Sequence, residues 1–214
     1  MPTDRSRVRR LPERGAYDLD TIEAIIDAAA ICHVGFETDD GAIVIPTIHA
    51  RVGKTLYLHG SPASRMLRAI PGQQVCVTIT IVDGIVVARS AFHHSMNYRS
   101  VMIFGVPRVV DDPTERIIAL EAVTEHVLPG RWAEARRPND AENRATKLLA
   151  IDIGEASAKI RTGPPGDDAE DMDLDIWAGV IPLTVVPGTP VAAPDLKRGV
   201  AIPPSVERYG SART

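Results

Sequence analysis

Short runs in which apolar and polar residues alternate dominate the chain up to Gly163. The clearest run is Gln74–Val82, where valines and isoleucines alternate with a cysteine and threonines. A period of two residues is typical of a strand with one buried face. Similar runs predict further strands over Cys32–Thr38, Ala42–Arg51, Thr55–His59, Ile85–Ser90, about Ser100–Val110, Leu148–Ile153 and Ser157–Arg161.

Tight-turn sequences separate several of these strands. Asp39-Asp40-Gly41 and Asp83-Gly84 combine aspartate with glycine, which favours β-hairpin turns, and Val52-Gly53-Lys54 forms another candidate turn. Connections this short join antiparallel neighbours, because parallel strands need a long crossover. The chain therefore predicts an antiparallel sheet rather than a parallel α/β fold.

A few segments have helical periodicity instead. Asp18 or Asp20 can cap a helix over about Thr21–Ala30, whose isoleucines share one face. A short helix is expected over about Ala63–Ala69, a longer one over Pro113–Leu128, and partly helical structure over residues 131–147. The whole pattern predicts a mainly β fold, an antiparallel barrel with a few peripheral helices.

The amino-acid composition of the sequence changes after Gly163. An acidic run is followed by the apolar patch Trp177–Pro182, and then by many prolines. We expect residues 1–163 to form the folded domain and residues 164–214 to form an extended arm that packs on the barrel or on a second subunit.

Overall charge and composition exclude several classes of function. The 214 residues carry 24 basic and 28 acidic side chains, a net charge of −4, which argues against a nucleic-acid-binding surface. The sequence lacks a long apolar run and a secretory segment, so we expect a cytoplasmic protein without a membrane partner. Dinucleotide-binding and P-loop glycine motifs are also missing. Cys32 and Cys76 lie in strand-like runs and are expected to be reduced thiols.

The segment Ala88–Val101 joins two predicted strands and concentrates hydrogen-bonding side chains, among them His93 and His94. Polar groups on a loop held by a sheet often serve a ligand. The histidine spacings give no zinc-type pattern, and no metal site is predicted. Either histidine could instead ligate haem iron, or could simply bond a neighbouring carbonyl. A nearby serine invites a hydrolase interpretation, but the nucleophile elbow is missing.

A second candidate site is the segment His59–Arg65, where a predicted strand ends and a helix begins. Ser61 and Ser64 supply hydroxyl groups, and Arg65 supplies a planar cation suited to phosphate. The alternative is that Ser61 merely caps the helix and that Arg65 is solvated. The residue types alone leave both interpretations open.

These segments together resemble the flavin-nucleotide-binding proteins of the pyridoxamine 5′-phosphate oxidase-like superfamily, in the branch that includes nitroimidazole-resistance proteins. The resemblance rests on the order and spacing of several short motifs. They are Arg14–Asp18, Cys32–Phe36, Ile45-Pro46-Thr47, Leu56–Ser61, Ser64-Arg65, Ala88–Ser100, Pro129–Trp132, Glu155–Lys159 and Trp177–Val180.

The resemblance implies a split β-barrel that forms a homodimer, with FMN at the subunit interface. It implies that the strand Ile45-Pro46-Thr47 lies along the isoalloxazine ring and that Ser64 and Arg65 hold the phosphate. The rest of the predicted cofactor site comprises His59, Ser61, Arg89, Ser90, Asn97 and Trp177. His93 and His94 are the predicted catalytic residues, which would donate a proton or orient a small-molecule substrate.

Two departures from the oxidase argue against pyridoxamine 5′-phosphate as the substrate. Met66 stands where the oxidase has a second basic residue, and the oxidase's basic ending is not recognisable in Ser211–Thr214. What the resemblance then implies is an FMN-dependent oxidoreductase that acts on another small molecule, with a nitroreductase-like activity as one form of it. The alternatives are a non-catalytic flavin- or haem-binding protein, or a deazaflavin-dependent reductase of the same fold.

Overall fold

The computed structural model describes residues 2–209, so the end of the predicted arm, including Ser211–Thr214, lies outside the described residues. The strands are β1 Gly15–Ala16, β2 Cys32–Thr38, β3 Gly41–Thr47, β4 His49–Val52, β5 Thr55–Gly60, β6 Val75–Val87, β7 Ser95–Gly105, β8 Arg108–Val109, β9 Lys147–Asp152, β10 Ala156–Arg161 and β11 Gly179–Pro182. The helices are α1 Leu19–Ala28, α2 Arg65–Ala69, α3 Pro113–Val127, α4 Arg131–Glu134, α5 Asp140–Arg144 and α6 Pro204–Arg208.

Every strand pair in the described chain is antiparallel. One sheet has seven strands, in the order β1-β10-β7-β6-β2-β3, with β11 paired to the far half of β6. The other has four strands, in the order β4-β5-β9-β8. The predicted mainly antiparallel β architecture with peripheral helices is confirmed.

The helices begin where the sequence predicts caps. Asp18 precedes α1 and accepts a hydrogen bond from the backbone N–H of Thr21 at 2.8 Å. Asp112 does the same for α3 by accepting from Glu115 at 2.8 Å, and Pro113 occupies the first turn, where its missing N–H costs no hydrogen bond. None of the helices in residues 2–209 has the length and apolar character needed to cross a membrane.

The main apolar core collects residues from both sheets and from α1 and α2. Its fully buried members include Ile26, Val34, Leu58, Ile79 and Ile103. Cys32 and Cys76 are free thiols; Cys32 is buried, which raises its pKa to about 12, and Cys76 is half-buried. Cys32 is therefore an inert part of the core.

The predicted turn at Asp83-Gly84 is wrong, because β6 runs through it with a bulge between Val82 and Gly84. Asp83 pairs with Arg99 on the neighbouring strand at 2.7 and 2.9 Å, which holds it in the sheet. A Cβ atom on Gly84 would lie 3.0 Å from the carbonyl oxygen of Ile181. The glycine therefore permits the close approach of β11 rather than a reversal of the chain.

The predicted strand Ala42–Arg51 is divided at Ile48. Its first part is β3 in the larger sheet, and its second part is β4 in the smaller sheet. His49, the first residue of β4, is fully buried. The predicted strand over Ser100–Val110 also shifts, because β7 starts at Ser95 and so includes the end of the segment taken as a loop.

Candidate functional site

The segment Ser61–Arg65 connects the end of β5 to the start of α2. Ser64 caps α2 by accepting from the N–H of Leu67 at 3.5 Å, and Ser61 accepts from the N–H of Ala63 at 3.2 Å. The helix is therefore capped by a serine, but by Ser64 rather than by Ser61 as the alternative expected. Each hydroxyl still keeps its own hydrogen to donate, because a serine hydroxyl both donates and accepts.

Arg65 is the cation of this segment, and 55% of its side chain is exposed. Its guanidinium lies 3.1 Å from the carboxylate of Asp40, whose side chain is 86% exposed, and donates to Thr38 Oγ1 at 3.4 Å. Exposed ion pairs of this kind contribute little free energy. A phosphate could therefore replace the Asp40 carboxylate as the partner of this guanidinium, or bind beside it, with little loss of stability.

Met66, which replaces the oxidase's second basic residue, is 3% exposed and packs in the core. A lysine or arginine here would have to leave that core to reach an anion. The single cation at the start of α2 is thus a consequence of how α2 packs.

His59 lies in β5, two residues before Ser61. Its Nδ1 atom is buried and has no hydrogen-bond partner among the described residues. Burial lowers the pKa of His59, so the imidazole is neutral at pH 7. A buried ring nitrogen without a partner can accept a donor from a bound molecule.

Strand β3, which carries Ile45, Pro46 and Thr47, is the edge of the larger sheet. It pairs with β2 on one side only, with Thr47 opposite Cys32. Pro46 is exposed, and Ile45 and Thr47 are half-exposed. The unpaired edge leaves backbone N–H and C=O groups available to a flat ligand, except at Pro46, which lacks an N–H.

The polar loop between β6 and β7 contains one turn of 3₁₀ helix, Ala91–His93. Ser90 caps it by accepting from the N–H of Phe92 at 3.3 Å. His94 Nδ1 lies 3.0 Å from the carbonyl oxygen of Ser90. Because a carbonyl can only accept, Nδ1 carries the proton and Nε2 keeps its lone pair. Ring nitrogens prepared in this way are typical of metal-ligating histidines.

His93 faces the C-terminal arm. Its Nε2 lies 3.1 Å from a carboxylate oxygen of Asp168, and Asp171 adds a third potential ligand atom, all three within 4.8 Å of one another. Phe92 packs edge-on against the His93 ring at 5.1 Å and is itself 88% exposed. Sequence reasoning noticed the acidic run but could not pair it with a loop 75 residues earlier.

Arg89 and Asn97, two predicted cofactor ligands, are engaged within the chain. Arg89 donates to Asp167 at 2.9 Å through its guanidinium and at 2.8 Å through its backbone N–H. Asn97 donates to the carbonyl of Gly163 at 3.1 Å and accepts from the buried Arg161. These contacts hold the start of the arm beside the polar loop.

Trp177 is 66% exposed, and its ring lies over Gly179, where an added Cβ would come within 3.0 Å of it. Most of the indole surface is therefore open to solvent.

The structure places the phosphate segment and the histidine loop at opposite ends of β6, with Ile45–Thr47 level with the first half of that strand. Asp40 and Arg65 lie beyond its first residue, because β2 runs antiparallel to it with Gly35 opposite Cys76. The loop with His93 and His94 follows its last residues. A strand of 13 residues spans roughly 40 Å at about 3.3 Å per residue. Within one chain, the histidines therefore do not line the space beside Arg65.

Comparison with known proteins shows to which family the chain belongs. The sequence profile of the pyridoxamine 5′-phosphate oxidase family matches residues 18–160. The flavocytochrome Anf3 from Azotobacter vinelandii is 37% identical, with a TM-score of 0.91 over 97% of this chain and 97% of that chain. The FAD and haem binding protein from Mycobacterium smegmatis is 38% identical, with a TM-score of 0.87 over 91% of this chain and 96% of that one.

A more distant similarity supports the predicted branch. A putative 5-nitroimidazole antibiotic resistance protein from Bacteroides thetaiotaomicron is 25% identical, with a TM-score of 0.56 over 68% of this chain and 86% of that one. A search among curated proteins gave no match. The resemblance predicted from the short motifs is confirmed. The chain belongs to the pyridoxamine 5′-phosphate oxidase family.

Proposed function

We propose that the protein is a flavin-nucleotide-binding redox protein that exchanges electrons with a small molecule and also carries haem. The main observation behind the flavin assignment is that Arg65 lies at the start of the edge strand β3, which carries the other predicted flavin contacts. Arg65 reaches Asp40, just before the first residue of β3, and Ile45–Thr47 lie farther along the same strand.

The spacing along β3 suits an extended flavin nucleotide. Ile45 and Thr47 are four and six residues beyond Gly41, about 13 and 20 Å along a strand. A phosphate bound by Arg65, Ser61 and Ser64 would leave the ring system beside the unpaired edge of β3. Backbone groups there would fix its orientation, and the Thr47 hydroxyl would reach the ring edge.

The residues fit the charge of the ligand as well as its length. The Arg65 guanidinium is available because its present partner is an exposed carboxylate, and the unpartnered Nδ1 atom of His59 offers a hydrogen-bonding atom near Ser61. A bound flavin supplies hydride and one-electron chemistry, while the protein supplies position and electrostatics.

A homodimer would bring the two groups of predicted residues together. The polar loop and Arg65 lie at opposite ends of β6, so a second copy is needed to place His93 or His94 near the flavin. Exposed apolar side chains beside the loop, Phe92 at 88% and Trp177 at 66%, support this arrangement. In it, His93, the histidine that is not assigned to haem below, would donate a proton to the substrate or orient it.

His94 is the residue that supports haem. Its protonated Nδ1 is held by the Ser90 carbonyl and its Nε2 lone pair points away, as in axial haem ligands. The similarity to a flavocytochrome and to an FAD and haem binding protein is a second, separate argument in favour of haem. Phe92 and the half-exposed Met96 provide apolar surface beside it for a macrocycle.

Absorption spectroscopy of the freshly purified protein, followed by titration with flavin and haemin, tests this function. We expect flavin bands and a Soret band, each saturating at one equivalent per chain. Oxidation of a reduced nicotinamide with a nitroaromatic acceptor then separates an enzyme from a binding protein. Saturable binding of haem alone, with no affinity for any flavin, would contradict the proposal.

A further inference from the structure

A basic cavity of about 360 Å³ adjoins the Ser61–Arg65 segment, which contributes a residue to its wall. Its charged lining residues are Arg116, Arg144, Lys147 and Asp111. Neither Arg144 nor Lys147 makes a side-chain hydrogen bond or an ion pair with the described residues. Arg116 donates to three backbone carbonyls at 2.8 to 2.9 Å. Three cations against one carboxylate leave this open surface suited to a negatively charged occupant.

The C-terminal arm carries an excess of the opposite charge. Residues 168–175, the acidic segment, contain five acidic side chains, and the arm has no lysine or arginine before Lys197. Glu170 and Asp175 are exposed, and neither has a side-chain hydrogen bond or an ion pair among the described residues. The acidic segment is therefore as poorly neutralised as the basic cavity.

Apolar side chains accompany the charges on both surfaces. Met172 and Leu174 lie between the acidic residues, and 54% and 46% of their surfaces are exposed. Pro62 and Val109 line the basic cavity together with its cations. Apolar side chains mixed with charges are typical of protein–protein interfaces, where burial adds to electrostatic complementarity. Each of the two surfaces therefore fits a protein surface of opposite charge.

The acidic segment cannot reach the cavity of its own chain. Before it, Asp167 pairs with Arg89 at 2.9 Å, and after it, Gly179 is the register partner of Val87. Both anchors lie at the last residues of β6, while the cavity adjoins the phosphate segment at the other end. A strand of 13 residues separates the two ends by roughly 40 Å. The segment and the cavity therefore meet only between two copies.

We propose that the acidic segment of one copy docks on the basic cavity of a second copy. The inference rests on the homodimer of the proposed function, in which the polar loop of one copy lies near the flavin site of the other. That arrangement brings the end of β6 that carries the acidic segment to the end that carries the cavity. In a two-fold dimer the contact occurs twice, so each copy supplies both surfaces.

Analytical ultracentrifugation of charge-reversed variants tests the contact. We expect Arg144→Glu/Lys147→Glu and Glu170→Lys/Asp175→Lys each to raise the dimer dissociation constant by about tenfold or more, because like charges then face each other twice. The control Arg10→Glu/Lys54→Glu reverses two exposed cations away from the cavity and should dimerise like the wild type. Raising the salt concentration from about 0.05 M to about 0.5 M should weaken the wild-type dimer, because salt screens exposed charges.

Mixing the two reversed variants in equal amounts shows whether the contact joins two chains. In the mixed dimer, the acidic cavity of one variant faces the basic segment of the other, and the unchanged cavity faces the unchanged segment. The mixture should therefore dimerise about as well as the wild type, although each variant alone does not. Failure of the mixture to dimerise would overturn the inference.

An unchanged dissociation constant in either reversed variant would also overturn it. A wild-type dimer that binds flavin but is insensitive to salt would count against this contact alone and leave the proposed function intact. A flavin-loaded protein that stays monomeric would remove the dimer of the proposed function as well. Far-UV spectra check folding, and Arg144→Gln/Lys147→Gln serves if the reversed variant does not fold. Its dissociation constant should rise by a smaller factor, and an unchanged value would contradict the contact.

Discussion

Arg89 and Asp167 form an ion pair at 2.9 Å in which only 1% of the Asp167 side chain is exposed. It joins the end of β6 to the beginning of the C-terminal arm. Burial by itself would raise the pKa of Asp167, but hydrogen bonds from the backbone and side chain of Arg89 and from the backbone of Ser90 outweigh it and lower the pKa. The carboxylate is therefore ionised at pH 7, and Arg89 depends on it as a partner.

Replacing Asp167 should release the arm. In Asp167→Ala, the Arg89 guanidinium stays partly buried without its carboxylate, and an unpaired buried charge is costly. We expect a fall in Tm of several degrees and faster proteolytic cleavage within residues 164–180. Asp173→Ala removes an exposed carboxylate of the same acidic run and serves as the control. Identical melting and cleavage of the two variants would show that the pair does not hold the arm.

His94 and His93 should differ sharply in haem binding. His94→Ala removes the ring whose Nε2 is free, so we expect loss of the Soret band after haemin titration, with flavin affinity retained. His93 is occupied by Asp168, so His93→Ala should keep most of the haem. A Soret band that survives in His94→Ala and disappears in His93→Ala would reverse the assignment.

His49 should make stability depend on pH. Burial lowers its pKa from 6.5 to about 4, against the smaller effect of its 2.9 Å hydrogen bond to the Ile26 carbonyl. The unfolded chain then takes up a proton that the folded chain cannot, so the free energy of unfolding falls as the pH drops from 6.5 to about 4. The loss should reach about 3 kcal/mol.

Urea unfolding at pH 7.5 and pH 4.5 measures this effect. His49→Phe removes the titrating ring, so its stability should change less between the two pH values than that of the wild-type protein. The neighbouring His126, whose ring is tilted against that of His49 with the centroids 4.7 Å apart, stays in both proteins. An equal pH dependence in wild type and variant would show that other groups dominate acid destabilisation.

The arm beyond β11 should contribute to dimerisation. Val185 and Val191 are 95% and 93% exposed, although both ends of this stretch are anchored on the same chain, by β11 on β6 and by Ser205 on Glu134. Apolar side chains this exposed gain free energy if a second copy covers them. Val185→Asp/Val191→Asp should raise the dimer dissociation constant in analytical ultracentrifugation, whereas Thr184→Asp/Thr189→Asp should change it much less.

Elements with local signals were predictable from the sequence, and long-range relationships were not. The cap at Asp18 and the alternation in Gln74–Val82 are written in neighbouring residues, so α1 and the first part of β6 appear where expected. The turn predicted at Asp83-Gly84 is wrong because this glycine allows β11 to pack closely on β6. Strand β11 lies almost 100 residues later in the chain. At Asp83-Gly84 the local pattern was present, but a distant contact decided which structure it forms.

The candidate site shows the same limit. Ser64 and Arg65 were predicted as phosphate ligands because charge, hydroxyl groups and a helix start coincide in five residues, and the structure bears out the helix start. The engagement of Arg89 with Asp167 and of Asn97 with Arg161 depends on residues over 60 positions away. The separation of the histidine loop from Arg65 follows from the length of β6, which no local motif contains. The motifs therefore predicted which side chains belong to the candidate site, but not how far apart the fold places them.

The central claim is that Arg65 binds the flavin phosphate, and flavin affinity in Arg65→Ala tests it most directly. Arg68→Ala is the matched control, since Arg68 is an exposed cation on the same short helix without a side-chain partner among the described residues. We predict that Arg65→Ala weakens the binding of both FMN and FAD by about tenfold or more, with an unchanged far-UV spectrum, while Arg68→Ala binds like the wild type. Equal flavin affinity in the two variants would contradict the account.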